Sequence, residues 1–287
     1  MRGFRTDLAM ESVGEESGRL EGVSMSAHQI GGVKRTRIVI QSRRAAEVLQ
    51  RPVGEYITLE CPELSRCGQP ERQMLIRLIA QAVRALLPKE GEVLVVGLGN
   101  RAITPDAVGP KVHEYTLVTR HLVRQVPEHF GDLRPVASLS AGVLGTTGME
   151  SGELVRAVSE RLRPACVIAV DALASRSLKR VCRTVQLADT GIAPGSGVGN
   201  HRAALDRASL GVPVIAVGVP TVVDGATLAA DLLGTEELPP LGEGRDLMVT
   251  PKDIDSQVAD LSKVIGYGID LALQPSLTLE DLDLLLS

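Results

Sequence analysis

Apolar and polar residues follow one another in a pattern that predicts strands and helices in alternation. Residues 37–41 and 55–60 are rich in β-branched side chains and predict strands, whereas residues 71–87 carry apolar side chains at helical spacing. Residues 92–100 are almost continuous Val and Leu up to a glycine turn, which is typical of a parallel strand covered on both faces. A helix over residues 108–126 is expected next, so strand, loop and helix come in sequence.

The second half of the chain repeats this alternation. Further strands are predicted at residues 134–140, 166–170, 182–187 and 212–218, and further helices at residues 150–162, 174–180, 223–233 and 251–273. Such alternation predicts an α/β fold with a mostly parallel sheet and helices on both of its faces.

The N-terminal stretch differs from the remainder. Residues 1–35 are rich in acidic residues, Gly and Ser without sustained periodicity, and we interpret them as a leader or propeptide-like arm. Residues 36–287 are expected to form a single α/β catalytic domain, a length that one continuous sheet often uses.

Composition excludes several classes of protein. A formal net charge of −4 and an aromatic content of 2% argue against direct nucleic-acid binding. No apolar run reaches the roughly 18 to 20 residues that a membrane span needs, so we expect a cytoplasmic protein. The four cysteines are too few and scattered for a disulfide framework, and we expect reduced thiols and no metal site.

Two aspartates occupy positions typical of α/β active sites. Asp171 directly follows the apolar run at 166–170, and Asp106 lies in the loop after the strand at 92–100. Parallel strands would bring both to one edge, where paired carboxylates can act as base and acid in hydrolysis. The alternatives are that each aspartate caps the helix after it, or that it binds a ribose.

Glycine-rich loops accompany these acids. They lack the complete dinucleotide and phosphate-binding fingerprints, and neither a zincin nor a G-x-S-x-G motif occurs. They either turn tightly or expose amides to an extended peptide and its oxyanion. His201 is a solvated loop residue, an acid-base group or a metal ligand. The candidate amide donors are Gly145, Gly148, Gly195, Gly197 and Gly199.

Several motifs together resemble one known family. In chain order they are RTDLAME (5–11), VVGLGN (95–100), TPDAVGPK (104–111), TRHL (119–122), GVLGTTGME (142–150), AVDALASRS (169–177), DTGIAPGSGVGN (189–200), GVPVIAVGVPTVVD (211–224) and LMVTPKDID (247–255). This set resembles the germination protease of spore-forming bacteria, over most of the chain.

The resemblance implies an endopeptidase that degrades small acid-soluble spore proteins in the spore core during germination. It also implies a homotetramer, a fold similar to that of the hydrogenase-maturation endopeptidases, no cofactor, and catalysis by the aspartates of TPDA and DALA, here Asp106 and Asp171. The family's enzymes are made as inactive precursors. Since TDLAME resembles the sites cut in the family's substrates, we expect self-cleavage near Arg5 and Thr6.

Two departures from the family pattern and two rival functions remain. Only a few residues precede RTDLAME, and the stretch between residues 233 and 247 is short, which suggests that a surface insertion is missing. One rival function is a metal-assisted peptidase of the hydrogenase-maturation type. The other is a non-catalytic module that binds spore proteins.

Overall fold

The computed structural model describes residues 6–13, 20–195, 203–235 and 247–286. In these ranges the strands are β1 (Val23–Ile30), β2 (Val33–Ile40), β3 (Gly54–Glu60), β4 (Val93–Leu98), β5 (Val136–Gly142), β6 (Cys166–Ala174), β7 (Thr184–Ala188), β8 (Val214–Asp224) and β9 (Met248–Val249). The helices are α1 (Ala9–Ser12), α2 (Arg43–Leu49), α3 (Gln69–Leu86), α4 (Val108–Glu114), α5 (Arg120–Gln125), α6 (Pro127–Phe130), α7 (Leu144–Thr147), α8 (Ser151–Leu162), α9 (Arg207–Leu210), α10 (Gly225–Leu233), α11 (Ile254–Leu273) and α12 (Leu279–Leu286).

The strands form one sheet in the order β1-β2-β3-β7-β8-β6-β4-β5, with β9 paired to β8. Strands β5, β4, β6 and β8 are mutually parallel and are called the parallel half below. Strands β1, β2, β3 and β7 each run antiparallel to their neighbours and are called the antiparallel half. The two halves meet where β7 pairs with β8, and this pair is antiparallel as well. The predicted α/β class is confirmed, but the sheet is mixed rather than mostly parallel.

Short connections explain the antiparallel half. Gly31 and Gly32 join β1 to β2 with φ angles of 53° and 85°, the left-handed backbone that a two-residue hairpin turn requires. A parallel pair would need a crossover of a dozen residues or more. Residues 23–35, part of the expected N-terminal arm, therefore lie in the sheet as β1 and the beginning of β2.

The two faces of the sheet carry different cores. One face packs against α3, α4 and α11 in a single apolar cluster that includes Ile57, Val95 and Ile168. The opposite face carries two clusters. One lies on the antiparallel half and contains Leu8, Ile38 and Tyr56, and the other lies on the parallel half and contains Val96, Val155 and Ala169.

Two predicted helices differ from the structure. The expected helix at 108–126 is broken between α4 and α5, because the amide of Leu117 donates to the Asp270 carboxylate and Thr119 N donates to Val136 O. The expected helix at 174–180 is absent from the described chain: β6 extends to Ala174, and only a 3-10 turn forms at Leu178–Arg180. In both segments, backbone amides donate hydrogen bonds to residues that are distant in sequence. The local spacing of apolar residues gives no indication of these partners.

The predicted helices at 71–87, 150–162 and 251–273 are confirmed as α3, α8 and α11. Of the helices within the described ranges, not one has both the length and the apolar character that a bilayer crossing demands.

Candidate active site

Asp171 lies within β6 rather than after it. Its register partner is Gly218 of β8, and it is 4% exposed. The amide of Ala172 donates to its Oδ1 at 2.9 Å. Alternation along β6 places Asp171 on the face that carries the two separate clusters. Because β6 continues to Ala174, Asp171 does not cap a helix.

Asp106 ends a 3-10 turn, Thr104–Asp106, that connects β4 to α4. Its Oδ2 accepts a hydrogen bond from the amide of Asn100 at 2.7 Å, and its own amide donates to Ile103 O at 2.8 Å. The N-cap residue of α4 is Ala107, which has no side-chain cap. The Asp106 carboxylate therefore closes its own loop instead of capping the helix.

The turn that carries Asp106 is held from outside as well. Thr221 of β8 donates from Oγ1 to Pro105 O at 2.7 Å, and Thr250 donates to Thr221 O at 2.9 Å. Thr104 donates to a carboxylate oxygen of Asp255, in α11, at 2.8 Å. Hydrogen bonds from β8 and α11 therefore fix Asp106 relative to the sheet.

Two glycines allow this loop to lie against the strands. Gly99 has a φ of 106°, and a Cβ there would lie 2.1 Å from the backbone oxygen of Asp106. A Cβ on Gly109, in the first turn of α4, would lie 2.2 Å from Leu98 O and 2.5 Å from Val170 O. Any side chain at either position would displace the loop or the helix.

Asp106 and Asp171 line the same cavity, whose volume is about 430 Å³. Among the described residues, its other polar side chains are those of Asp7, Ser151, Thr221 and Thr250. Apolar groups form much of the wall: Leu98, Ile103, Pro105, Leu173, Val222 and Met248. An apolar cleft with a few convergent polar groups is the usual form of a ligand site, and the wall of this one carries three carboxylates, those of Asp7, Asp106 and Asp171.

The N-terminal segment, residues 6–13, also reaches this cavity. Asp7 lines it, and the Asp7 amide donates to Ala174 O at 2.9 Å. The Ala174 amide in turn donates to Asp7 Oδ2 at 2.8 Å. The sequence analysis predicted a cleavage site near Arg5 and Thr6. It did not predict that Asp7 would line the cavity. Arg5 lies outside the described residues, and Thr6 O accepts a hydrogen bond from Arg51.

Comparison with known proteins identifies the family. A sequence model described as Peptidase_A25, germination protease, matches residues 5–234. The chain belongs to the germination protease family. The germination protease of Clostridium tetani is 40% identical over 97% of this chain and 98% of its own length. The germination protease of Caldanaerobacter subterraneus subsp. tengcongensis is 41% identical over 99% of this chain and 98% of its own length. The germination protease of Bacillus cereus is 35% identical over 94% of this chain and 93% of its own length.

The predicted resemblance is thus confirmed, and the protein is a peptidase. Among solved structures, the NiFe hydrogenase maturation protease HycI of Thermococcus kodakarensis matches with a TM-score of 0.39 and 16% identity. The match covers 66% of this chain and 98% of that one.

The glycines predicted to serve this peptidase separate in space. Gly195 lines the cavity with both aspartates. Gly145 and Gly148 are exposed in and after α7, and neither is among the described residues of the cavity wall. Gly197, Gly199 and His201 lie outside the described residues.

The buried cysteines and the His113–Ser138 pair are unsuited to peptide hydrolysis at this cavity. The four cysteines are free thiols, and burial raises the pKa of Cys166 to about 11 and those of Cys61 and Cys182 to about 12. These thiols stay protonated near neutral pH. His113 Nδ1 lies 2.7 Å from Ser138 Oγ, but neither residue is among the described cavity residues. No group of three or more His, Cys, Asp or Glu in the described ranges is arranged to hold a metal ion.

Proposed function

We propose that this germination-family peptidase is an endopeptidase that opens small acid-soluble spore proteins by a two-aspartate mechanism. The observation that carries the proposal is that Asp106 and Asp171, from separate elements, line one cavity. The family resemblance supports the substrate class, the spore core as its place of work and assembly as a homotetramer.

The proposed chemistry divides acid and base work between the carboxylates. The ionised carboxylate accepts a proton from water, and the hydroxide formed attacks the scissile carbonyl carbon. The protonated carboxyl donates its proton to the departing amide nitrogen as the C–N bond breaks. The amide of Gly195, the candidate glycine that lines the cavity, is the donor we assign to the oxyanion.

We further propose that the chain is made as a precursor that cuts itself near Arg5 and Thr6. The support is the position of the N-terminal segment, since Asp7 lies in the wall of the cavity that Asp106 and Asp171 also line, and its amide and carboxylate form hydrogen bonds with Ala174. While the segment stays there, it forms part of the cavity wall and competes with a substrate for that surface. Precursor carrying Asp7→Lys should fail to mature, and intact-mass measurement checks this directly.

The deciding experiment incubates the matured protein with a purified small acid-soluble spore protein and identifies the products by mass spectrometry. Discrete internal cuts that persist in the presence of a chelator support the two-aspartate endopeptidase. Cuts abolished by the chelator would instead favour a metal-assisted mechanism. An intact but bound substrate after long incubation would overturn the proposal in favour of a binding module.

A further inference from the structure

A second cavity lies at the opposite end of the sheet from the candidate active site. Its volume is about 420 Å³, and the described residues that line it are Arg120, Arg124, Arg161 and Leu162. We call it the arginine cavity. Arg120 belongs to the TRHL motif at 119–122, which the proposed hydrolysis does not use. The proposed function therefore gives this cavity no role.

The arginine cavity lies at the amino ends of the parallel strands. Arg161 is in the last turn of α8, the helix that precedes β6. Thr119 N, beside Arg120 of α5, donates to Val136 O at the beginning of β5. Asp106 follows the other end of β4, and a strand of this length spans about 20 Å. A ligand in the arginine cavity would therefore not contact the proposed catalytic aspartates.

Glu92 orients two of the three guanidinium groups. Arg120 Nε donates to Glu92 Oε1 at 2.6 Å, and a terminal nitrogen of Arg124 donates to Glu92 Oε2 at 2.9 Å. The Glu92 side chain is only 11% exposed, so its carboxylate is a fixed partner for both. Within the described part of the chain, the remaining N–H groups of Arg120 and Arg124 have no acceptor. These donors are held in place before any ligand arrives.

The charges around the arginine cavity do not balance. Both oxygens of Glu92 are engaged by Arg120 and Arg124, and Arg161 has no ion-pair partner in the ranges that the structure describes. Three guanidinium groups therefore face a single carboxylate, and two positive charges are left uncompensated. A cleft lined by charges of one sign concentrates the field and attracts ions of the other sign. The arginine cavity therefore favours a ligand with two negative charges.

Phosphate fits these requirements. A phosphate group carries a charge of about −1.5 to −2 at pH 7 and has three strong acceptor oxygens. Guanidinium groups bind phosphate through pairs of parallel N–H donors, which a lysine ammonium cannot offer. The cavity is larger than one phosphate group, and Leu162 adds an apolar wall. We propose that the arginine cavity binds the phosphate group of a small molecule, through Arg120, Arg124 and Arg161.

Calorimetric titration of the full chain tests the proposal directly. The probes are inorganic phosphate and glycerol 3-phosphate, and sodium chloride at the same ionic strength is the control. Both phosphate compounds should give saturable heats, and chloride should not. Tighter binding of the ester identifies a phosphorylated molecule as the ligand, whereas tighter binding of inorganic phosphate identifies the free ion. If neither compound binds with a Kd below about 10 mM, the proposal is wrong.

Arg161→Gln assigns the binding to this cavity. Loss of a hydrogen bond to a charged group should weaken the binding of inorganic phosphate about tenfold or more. Arg156→Gln is the matched control, because it makes the same change of charge on the same helix at a residue that is not among the described residues of the cavity wall. Equal affinity in the two variants would reject the site.

Thermal unfolding provides a second measurement, with Arg124→Gln as a second variant. Phosphate stabilises many proteins because it is excluded from their surfaces, so the difference between variants carries the information. A ligand that binds only the folded state stabilises it further. Phosphate should therefore raise the unfolding midpoint of the wild type and of Arg156→Gln more than those of Arg161→Gln and Arg124→Gln. The same rise in all four proteins would show a general salt effect only, and would overturn the proposal.

Discussion

The two halves of the sheet differ in what their surfaces do. Strands β4 and β6 of the parallel half are almost wholly buried. Asp106 lies in the 3-10 turn that follows β4, and Asp171 lies in β6 itself. In the antiparallel half, β1 is exposed along most of its length, and the face of β2 and β3 is covered partly by the N-terminal segment. The parallel half carries the proposed catalytic aspartates, whereas the antiparallel half packs against the chain's own N-terminal segment.

Asp171 lies where the two halves meet. Its neighbours on the same face of β6 are Ala169, in the cluster of the parallel half, and Leu173, in that of the antiparallel half. A gap between two apolar clusters leaves room for a cavity without disrupting either core. Changes in the parallel half should therefore alter turnover, and matched changes in the antiparallel half should not.

The largest expected effect is that of Asp171→Asn or Asp106→Asn, each of which removes one carboxylate from the cavity. Turnover of a spore-protein substrate should fall about 10²- to 10⁴-fold, the usual contribution of general acid-base catalysis, with little change in the unfolding midpoint. Glu55→Gln in β3, which loses only an exposed pair with Arg37, is the control and should retain activity. Wild-type turnover in either aspartate variant would refute the two-aspartate mechanism.

Gly99→Ala should come next, because it combines an unfavourable φ with a Cβ 2.1 Å from Asp106 O. We expect a loss of more than about 2 kcal/mol in unfolding free energy and a marked loss of turnover. Gly32→Ala in the antiparallel half has a φ of 85° but an open surrounding, so it should cost only the backbone strain of about 1 to 2 kcal/mol. Denaturant unfolding compares the two, and equal losses would argue against steric placement of Asp106 by Gly99.

Thr221→Val should have a smaller effect, since it removes the hydrogen bond to Pro105 O and frees the turn of Asp106. Stability should fall by about 1 kcal/mol, and kcat should fall while KM changes little. Thr58→Val is the counterpart in the antiparallel half, where the buried Oγ1 has no hydrogen-bond partner among the described residues. That variant should be neutral or stabilising, and an unchanged kcat in Thr221→Val would weaken the proposed clamp.

Asp270→Asn should have the smallest effect, and it separates a structural buried carboxyl from the acids of the cavity. Burial raises the pKa of Asp270 well above its usual value, although the Leu117 amide donates to its carboxylate. Above the ordinary aspartate pKa of about 3.9, the folded state therefore binds more protons than the unfolded state, and stability falls as pH rises toward the folded pKa. At neutral pH the folded wild type should therefore be destabilised by the buried Asp270 carboxyl.

The Asn variant lacks that titration. Its stability relative to wild type should therefore rise between about pH 4 and neutral pH, and melting temperatures measured at several pH values check this. Activity should remain. A constant difference across that range would show that Asp270 has the same proton affinity in both states.

Local pattern alone was enough for several parts of this protein. The near-continuous Val and Leu of β4 predicted a buried parallel strand, and the spacing of apolar residues predicted α3, α8 and α11. These elements obey rules that act within a few residues of the chain. The motifs around Asp106 and Asp171 were recognisable for the same reason, because their glycines and acids are close together in sequence.

The tertiary structure alone decided the rest. Helix 108–126 breaks because the amide of Leu117 finds Asp270, which is 153 residues away, and β6 runs past Asp171 because β8 pairs with it as far as Val222. The antiparallel half, the packing of Leu8 and the burial of Glu11 against Arg180 also depend on contacts between distant residues. Sequence determines which residues can form strands and helices, whereas long-range hydrogen bonding and burial determine where those elements end and which charges meet.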